Sequence, residues 1–106
     1  MKFEFSAGGI VYKKEVNNTL VLLCQHSQSH KWGFPKGRIG DTIDKESQED
    51  TAVREVKEET GIDAKILQRL DPIEYWYSFE GEKRKKKVTY FFMEHLGGDI
   101  TQHDHE

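Results

Sequence analysis

The sequence predicts one layered domain of the α/β or α+β kind. Strand-like apolar runs lie on both sides of a single helical stretch, which is the pattern of a sheet with a helix packed on it. That stretch carries both a start and a stop signal. The 106 residues are enough for one small domain and too few for two. Apolar residues make up 35% and charged residues 33%, a polar balance, but the apolar ones cluster into runs and so argue against disorder.

Phe3 to Tyr12 (FEFSAGGIVY) is rich in aromatic and β-branched residues and reads as a strand, with a bulge or close backbone approach at Gly8-Gly9. Lys13 to Asn18 is a polar turn. Leu20 to Gln25 is a short apolar run, expected to be a buried strand with Cys24 as a small core residue. Ser27 to Asp44 has no period of 2 or 3.6 and reads as a long loop containing WGFPKGRIG; loops of that length in small domains are usually functional. Ser47 to Thr60 is the helix. Ser47 with Asp50 resembles a capping box, Glu49 and Asp50 place negative charge at the positive helix end, and Gly61 is set to end it as a left-handed cap. Ala64 to Leu70, Ile73 to Phe79 and Lys87 to Glu94 read as strands, with a hairpin tip at Glu80-Gly81-Glu82. Gly97-Gly98 turns the chain toward a short strand near Ile100.

Bulk properties exclude little. The 16 basic and 19 acidic residues leave a net charge of −3, which points neither to nucleic acid nor to an anionic membrane. A single cysteine cannot form an internal disulfide. No apolar run approaches the roughly 20 residues of a membrane span, and MKFEFSAGG has no signal-peptide apolar region, so a cytoplasmic protein is expected.

The chemistry concentrates in REVKEETG, Arg54 to Gly61. On a helix Glu55 and Glu59 project about 40° apart, and Glu58 about 60° to the other side of Glu55. Like charges on one face repel unless a cation sits among them. A divalent cation removes that cost, and hard carboxylate oxygens suit Mg²⁺ or Mn²⁺. Arg54 is placed to orient a carboxylate. The plain alternative is a solvated acidic helix face.

The flanking residues carry a resemblance. Gly40, Glu46, Arg54, Glu55, Val56, Glu58, Glu59, Gly61 and Ile62 fit G-x5-E-x7-R-E-U-x-E-E-x-G-U, where U is bulky and apolar, and the chain resembles the Nudix (MutT-like) hydrolase family. Ala7-Gly8-Gly9 and WGFPKG, Trp32 to Gly37, extend the resemblance. The box glycine of the family usually follows the proline-lysine pair, which makes it Gly37, 17 positions before Arg54 rather than 14. A three-residue insertion between Gly40 and Lys45 reconciles the two; Gly40 is the alternative.

The resemblance implies a single Nudix domain over residues 1–106 with its box at 37–62, folded as an α/β/α sandwich on a mixed β-sheet. It implies metal-dependent hydrolysis of a nucleoside diphosphate linked to another group. By the same transfer Glu58 and Glu59 resemble metal ligands, Glu55 a ligand or base, Arg54 the residue that holds Glu55, Glu46 a supporting partner, and Gly37 a backbone carbonyl ligand. A Nudix domain normally continues with another strand and a second helix, so the end at Glu106 implies truncation, with one sheet face left open to association.

Substrate expectations rest on the loop and the last strand. His30 and Lys36 lie before the helix, Lys36 as a phosphate contact or an exposed loop lysine. Trp32 is a base-stacking residue or, more simply, a partly buried anchor. KRKKK, Lys83 to Lys87, is either a solvated hairpin edge or an attractor for a polyphosphate or RNA 5′ end, with Lys87 and Lys85 facing the site. KKVTYFF, Lys86 to Phe92, resembles asymmetric diadenosine tetraphosphate hydrolases, which use a lysine and tyrosines near phosphate and adenine; this selects Lys87 and Tyr90. The terminal His103, Asp104, His105 and Glu106 read as a solvated end, with Glu106 a candidate extra ligand. The expected substrate is a dinucleoside polyphosphate. A nucleoside triphosphate, an RNA 5′ end or a diphosphoinositol polyphosphate is the alternative, or a non-catalytic nucleotide-binding module.

Overall fold

A computed structural model of the chain describes residues 2–25, 30–40 and 45–101. Its elements are β1 (Lys2–Lys14), β2 (Thr19–Val21), β3 (Cys24–Gln25), β4 (Trp32–Gly33), β5 (Lys36–Arg38), α1 (Gln48–Thr60), β6 (Ile62–Arg69), β7 (Ile73–Phe79) and β8 (Glu82–Gly98). The sheet is mixed. β1 and β8 run parallel through its centre, paired from Lys2↔Arg84 to Tyr12↔Glu94. The outer edge of β1 is shared by β5, opposite Ser6 to Gly8, and β2, opposite Tyr12 to Lys14. The outer edge of β8 is shared by β7 and β6. β3 and β4 form a separate two-stranded ribbon.

Alternation along the central pair gives the two faces different work. Ala7, Val11, Phe91 and Met93 turn toward α1 and bury against its Ala52 and Val56, with Ile62 and Ala64 of β6. Ser6, Glu4, Lys86 and Tyr90 stand on the other face, as the in-register pairs Ser6↔Val88, Glu4↔Lys86 and Gly8↔Tyr90 require. The helix starts where the sequence indicates. The Ser47 hydroxyl accepts the Asp50 N–H at 3.0 Å, a cap worth about 1 kcal/mol, and Gly61 closes the helix at φ 78°, donating its N–H to the Lys57 carbonyl. Among the described residues this is the single helix, and it packs on one face of the sheet over Ala7, Val11, Phe91 and Met93.

Gly8-Gly9 is a close approach rather than a bulge. The Gly9 N–H donates to the Pro35 carbonyl at 3.1 Å, and a Cβ on Gly8 would collide with that oxygen and with Lys36. The WGFPKG segment is thereby clamped onto β1, and it contains β4 and β5, strands too short to show a period. Leu20 to Gln25 differs from expectation. Leu20, Val21 and Leu23 are exposed, Leu22 alone packs against the core, and Cys24 is half-buried. The run lies on the edge of the sheet, and four apolar residues in a row do not say which of them is covered. Leu20 and Leu22 line an open cavity of about 480 Å³ with Val11, Ile62, His95 and Ile100. β8 extends well beyond Lys87 to Glu94 at both ends, and Ile100 lies in a turn rather than a strand. The readings of His103 to Glu106, and part of the insertion between Gly40 and Lys45, fall outside the described residues.

Candidate active site

Arg54 is the organiser of the carboxylate cluster. Its Nε donates to Glu46 Oε2 at 2.8 Å and its Nη2 to Glu46 Oε1 at 2.9 Å, a two-point grip on the loop before α1. Its Nη1 donates to Glu55 Oε1 at 3.0 Å and to Glu58 Oε2 at 2.9 Å. One guanidinium therefore holds three carboxylates from two segments. Thr51 adds a hydroxyl donor to Glu46 Oε1 at 2.8 Å.

The electrostatics follow from the partners. Hydrogen bonds from Arg54 hold the Glu46 carboxyl below its ordinary value against the upward pull of burial, with help from Thr51 and the Gly40 backbone. The bond to Glu46, with Glu58 and the Glu55 charge, raises Arg54 further above its usual range. Three carboxylates, Glu46, Glu55 and Glu58, converge on this one guanidinium.

The two candidate box glycines occupy different places. A Cβ on Gly37 would run into the Glu55 carboxylate, so any other residue here would displace that side chain, and glycine lets the β5 backbone lie against it. Gly40 instead serves Glu46 through its backbone N–H. The local context of the proline-lysine pair, rather than formal spacing, identifies the glycine that touches Glu55.

The donor set can be judged by its chemistry. Gly37 and the glutamates Glu55, Glu58 and Glu59 offer only oxygen donors, which suits Mg²⁺ or Mn²⁺. Among the described residues no three acid, histidine or cysteine side chains already converge as a formed metal site. Arg54 occupies oxygens of Glu55 and Glu58 in this arrangement.

The other face of the sheet carries opposite charge. Buried Glu4 accepts from Arg84 Nη1 at 3.0 Å and pairs with Arg38 Nη2 at 3.0 Å. Burial pulls the Glu4 carboxyl upward, but bonds from Tyr77 and Arg84 and the charge of Arg38 outweigh it and hold it below its ordinary value. Lys36 and Lys86 come into contact beside this cluster. Burial, then the neighbouring Lys36 ammonium, bring Lys86 down to about 8. Tyr90 packs edge-on to Phe34 with ring centroids 5.8 Å apart, and burial first, then Tyr75, Cys24 and the Glu59 charge, push its phenol up to about 12.

Lys36 and Tyr90 thus lie on one face, and Glu59 is close enough for its charge to be felt there. Lys87 lies on the opposite face, paired with Phe5 and with Glu74 of β7. The lysine beside Lys36 is Lys86, which sequence reasoning passed over. Strict alternation counted back from Tyr90 would have found it. His30 lies at an exposed turn with φ 57°, its carbonyl accepting from Gln25 Nε2 at 2.8 Å. Trp32 is 67% exposed and anchors nothing.

A mixed sheet, a capped helix displaying glutamates and a glycine-proline loop pressed against them define a single class, and the comparisons agree with it. The chain belongs to the NUDIX domain family, whose match covers residues 2–106. It is 42% identical over 77 residues to the MutT4 protein of Mycobacterium tuberculosis, covering 71% of this chain and 29% of that one. It is 33% identical over 102 residues to the asymmetrical bis(5′-nucleosyl)-tetraphosphatase of Rattus norvegicus, covering 90% of this chain and 67% of the relative. The fold superimposes on a C. elegans Ap4A hydrolase binary complex with a TM-score of 0.73 and 28% identity, covering 97% of this chain and 74% of the other. No helix among the described residues is long and apolar enough to cross a membrane.

Proposed function

We propose that the chain hydrolyses a phosphoanhydride bond in a nucleoside diphosphate linked to another group, with a dinucleoside polyphosphate such as diadenosine tetraphosphate as substrate. The observation that carries this reading is the pairing of opposite charges around β1 and β5. Gly37 presses on the acidic cluster while its neighbour Lys36 meets Lys86 on the other face. A polyphosphate with its divalent ion needs both.

Gly37, Glu55, Glu58 and Glu59 would hold Mg²⁺ or Mn²⁺. Bound there, the ion supplies charge stabilisation at phosphoryl oxygens and lowers the pKa of a coordinated water. The chain's own residues do the rest. Arg54 fixes the Glu55 and Glu58 carboxylates, and Glu46 fixes Arg54. Glu55 is the base or ligand. Lys36 and Lys86 take phosphate charge beyond the reach of the metal. Tyr90 and Phe34 offer aromatic surface to a base, with His30 at the rim. Lys87 has no such neighbour and is replaced by Lys86 in this reading. The cytoplasm, where nucleotides are abundant, is the compartment proposed.

The test is product analysis on diadenosine tetraphosphate and a nucleoside diphosphate sugar in Mg²⁺ at fixed ionic strength. Faster cleavage of the tetraphosphate is expected. A preference for the sugar overturns the substrate assignment, and binding without turnover makes the chain a nucleotide-binding module.

A further inference from the structure

We propose that the open half of the α1-side sheet face is a binding surface for single-stranded nucleic acid. Five consecutive basic residues, Lys83 to Lys87, are ordinarily read as the charged rim of a hairpin edge. Here they are not at an edge. β8 in this segment is a central strand, flanked by β1 from Lys2 to Phe5 and by β7 from Glu74 to Ser78. Edge protection therefore does not account for them. Lysine is disfavoured in central strands, so their presence needs another reason.

Alternation splits the run. Arg84 turns to Glu4 on the far side, and Lys83, Lys85 and Lys87 share the α1-side face beyond the helix. Same-face neighbours two residues apart in a strand are about 6.7 Å apart, a close row of like charges. Among the described residues Lys85 alone of the three pairs with an acid, Glu74 at 3.4 Å. Around the row stand aromatic rings that a folded core would normally cover. Phe3, Phe5 and Trp76 are 57%, 53% and 50% exposed. Phe3 is in register with Lys85 and Phe5 with Lys87, while Lys83 and Lys85 lie 5.3 and 5.5 Å from the Trp76 ring centre.

A sheet face on which exposed rings flank a row of lysines matches a partner made of planar bases on an anionic backbone. Bases stack on the rings without sequence preference, and phosphates take the lysines. An acidic peptide would satisfy the lysines and leave the rings unused. A membrane would ask for the rings to protrude at a loop tip, whereas these sit within strands β1 and β7. The face also leads to the acidic site. The next same-face pair after Phe5↔Lys87 is Ala7↔Thr89, and Ala7 is in register with Gly37. A strand laid over Phe3 and Phe5 would bring its end to the glutamates.

The surface is independent of the substrate assignment above, and its test reads binding alone. Fluorescence anisotropy with labelled oligouridylate is compared with labelled poly-glutamate and with phosphatidylserine vesicles, across a salt series. Saturable binding of the oligonucleotide that weakens with salt is expected, with about tenfold loss in Trp76→Ala. Lys83→Glu, a change at an exposed position that leaves the fold intact, should weaken binding and flatten the salt slope. Both variants should keep the parent's thermal melt and its turnover of small nucleotides. Absence of saturable binding, variants that bind like the parent, or equal or stronger binding to poly-glutamate or vesicles would each overturn the proposal.

Discussion

The molecule contains two charge clusters that are inverses of each other. On the α1 side one guanidinium, Arg54, holds Glu46, Glu55 and Glu58. On the far side one carboxylate, Glu4, holds Arg38 and Arg84. In each, a single residue of one sign holds together two or three of the other. The difference lies in what the organiser holds. Arg54 orders side chains that the proposed chemistry uses, whereas Glu4 ties β1, β5 and β8 together beside Lys36 and Lys86, the cations assigned to phosphate in the proposed reading.

The largest effect is expected within the acidic cluster. Glu58→Gln and Glu59→Gln keep shape and remove the charge that would hold a divalent ion. Each should lower Mg²⁺-dependent turnover by several orders of magnitude with an unchanged circular dichroism spectrum. Near-parent turnover in either variant would remove that residue from the ligand set.

Arg54→Ala should come next, and it should harm both rate and stability. Misplacing Glu55 by about 1 Å can cost ~10²-fold in rate. Glu46, whose side chain is 3% exposed, would be left buried without its partner, a loss on the order of 3 kcal/mol in a urea melt. The sign with pH is fixed. Because Arg54 depresses Glu46, the pair stabilises the fold above pH 4.5 and loses that contribution as pH falls through the folded value. The variant should therefore show a flatter acid limb. Arg54→Lys should not restore the rate, because an ammonium cannot make the two-point grip.

Glu4→Gln sharpens the contrast. It should destabilise by about 2 kcal/mol, since two guanidiniums lose their charged acceptor, yet leave kcat within a few-fold of the parent. A fall in kcat as deep as that of Arg54→Ala would mean that both clusters serve the chemistry and would end the distinction.

The smallest expected effect concerns the lysines. Lys36→Ala and Lys86→Ala should raise KM for diadenosine tetraphosphate more than Lys87→Ala does. Lys86 titrates at about 8, so its positive charge is present at pH 7 and is lost as pH rises to 9. KM should climb across that window in the parent and stay flatter in Lys86→Met. An equal response in both would assign the pH dependence elsewhere.

Much of this was legible in the residues and some was not. Ser47, Gly61 and the helical spacing of Glu55, Glu58 and Glu59 act through local geometry, and local geometry is written in adjacent residues. The proline-lysine context picked out Gly37, and the structure sets it against Glu55, a contact the residues alone did not show. Glu4 was not, because a lone glutamate in FEFS says nothing until β5 and β8 bring their cations, and β7 its Tyr77, to it. The exposure of Leu20 to Leu23 was equally hidden, since burial depends on what packs over an apolar run. Lys86 and Lys87 differ only by which side of β8 they face, and one residue of register decides it.

β8 has a consequence for how the chain folds. Its central partner is β1, and their pairing joins Lys2 to Arg84 across nearly the whole sequence. Loop closure over such a span must precede any gain from the contact, which slows folding relative to domains built from neighbouring segments. During synthesis the first strand emerges long before the strand it pairs with. Until then β1, with Phe3, Phe5 and an unpaired backbone edge, has only β2 and β5 to cover it, and this is the interval in which the nascent chain is most exposed to aggregation.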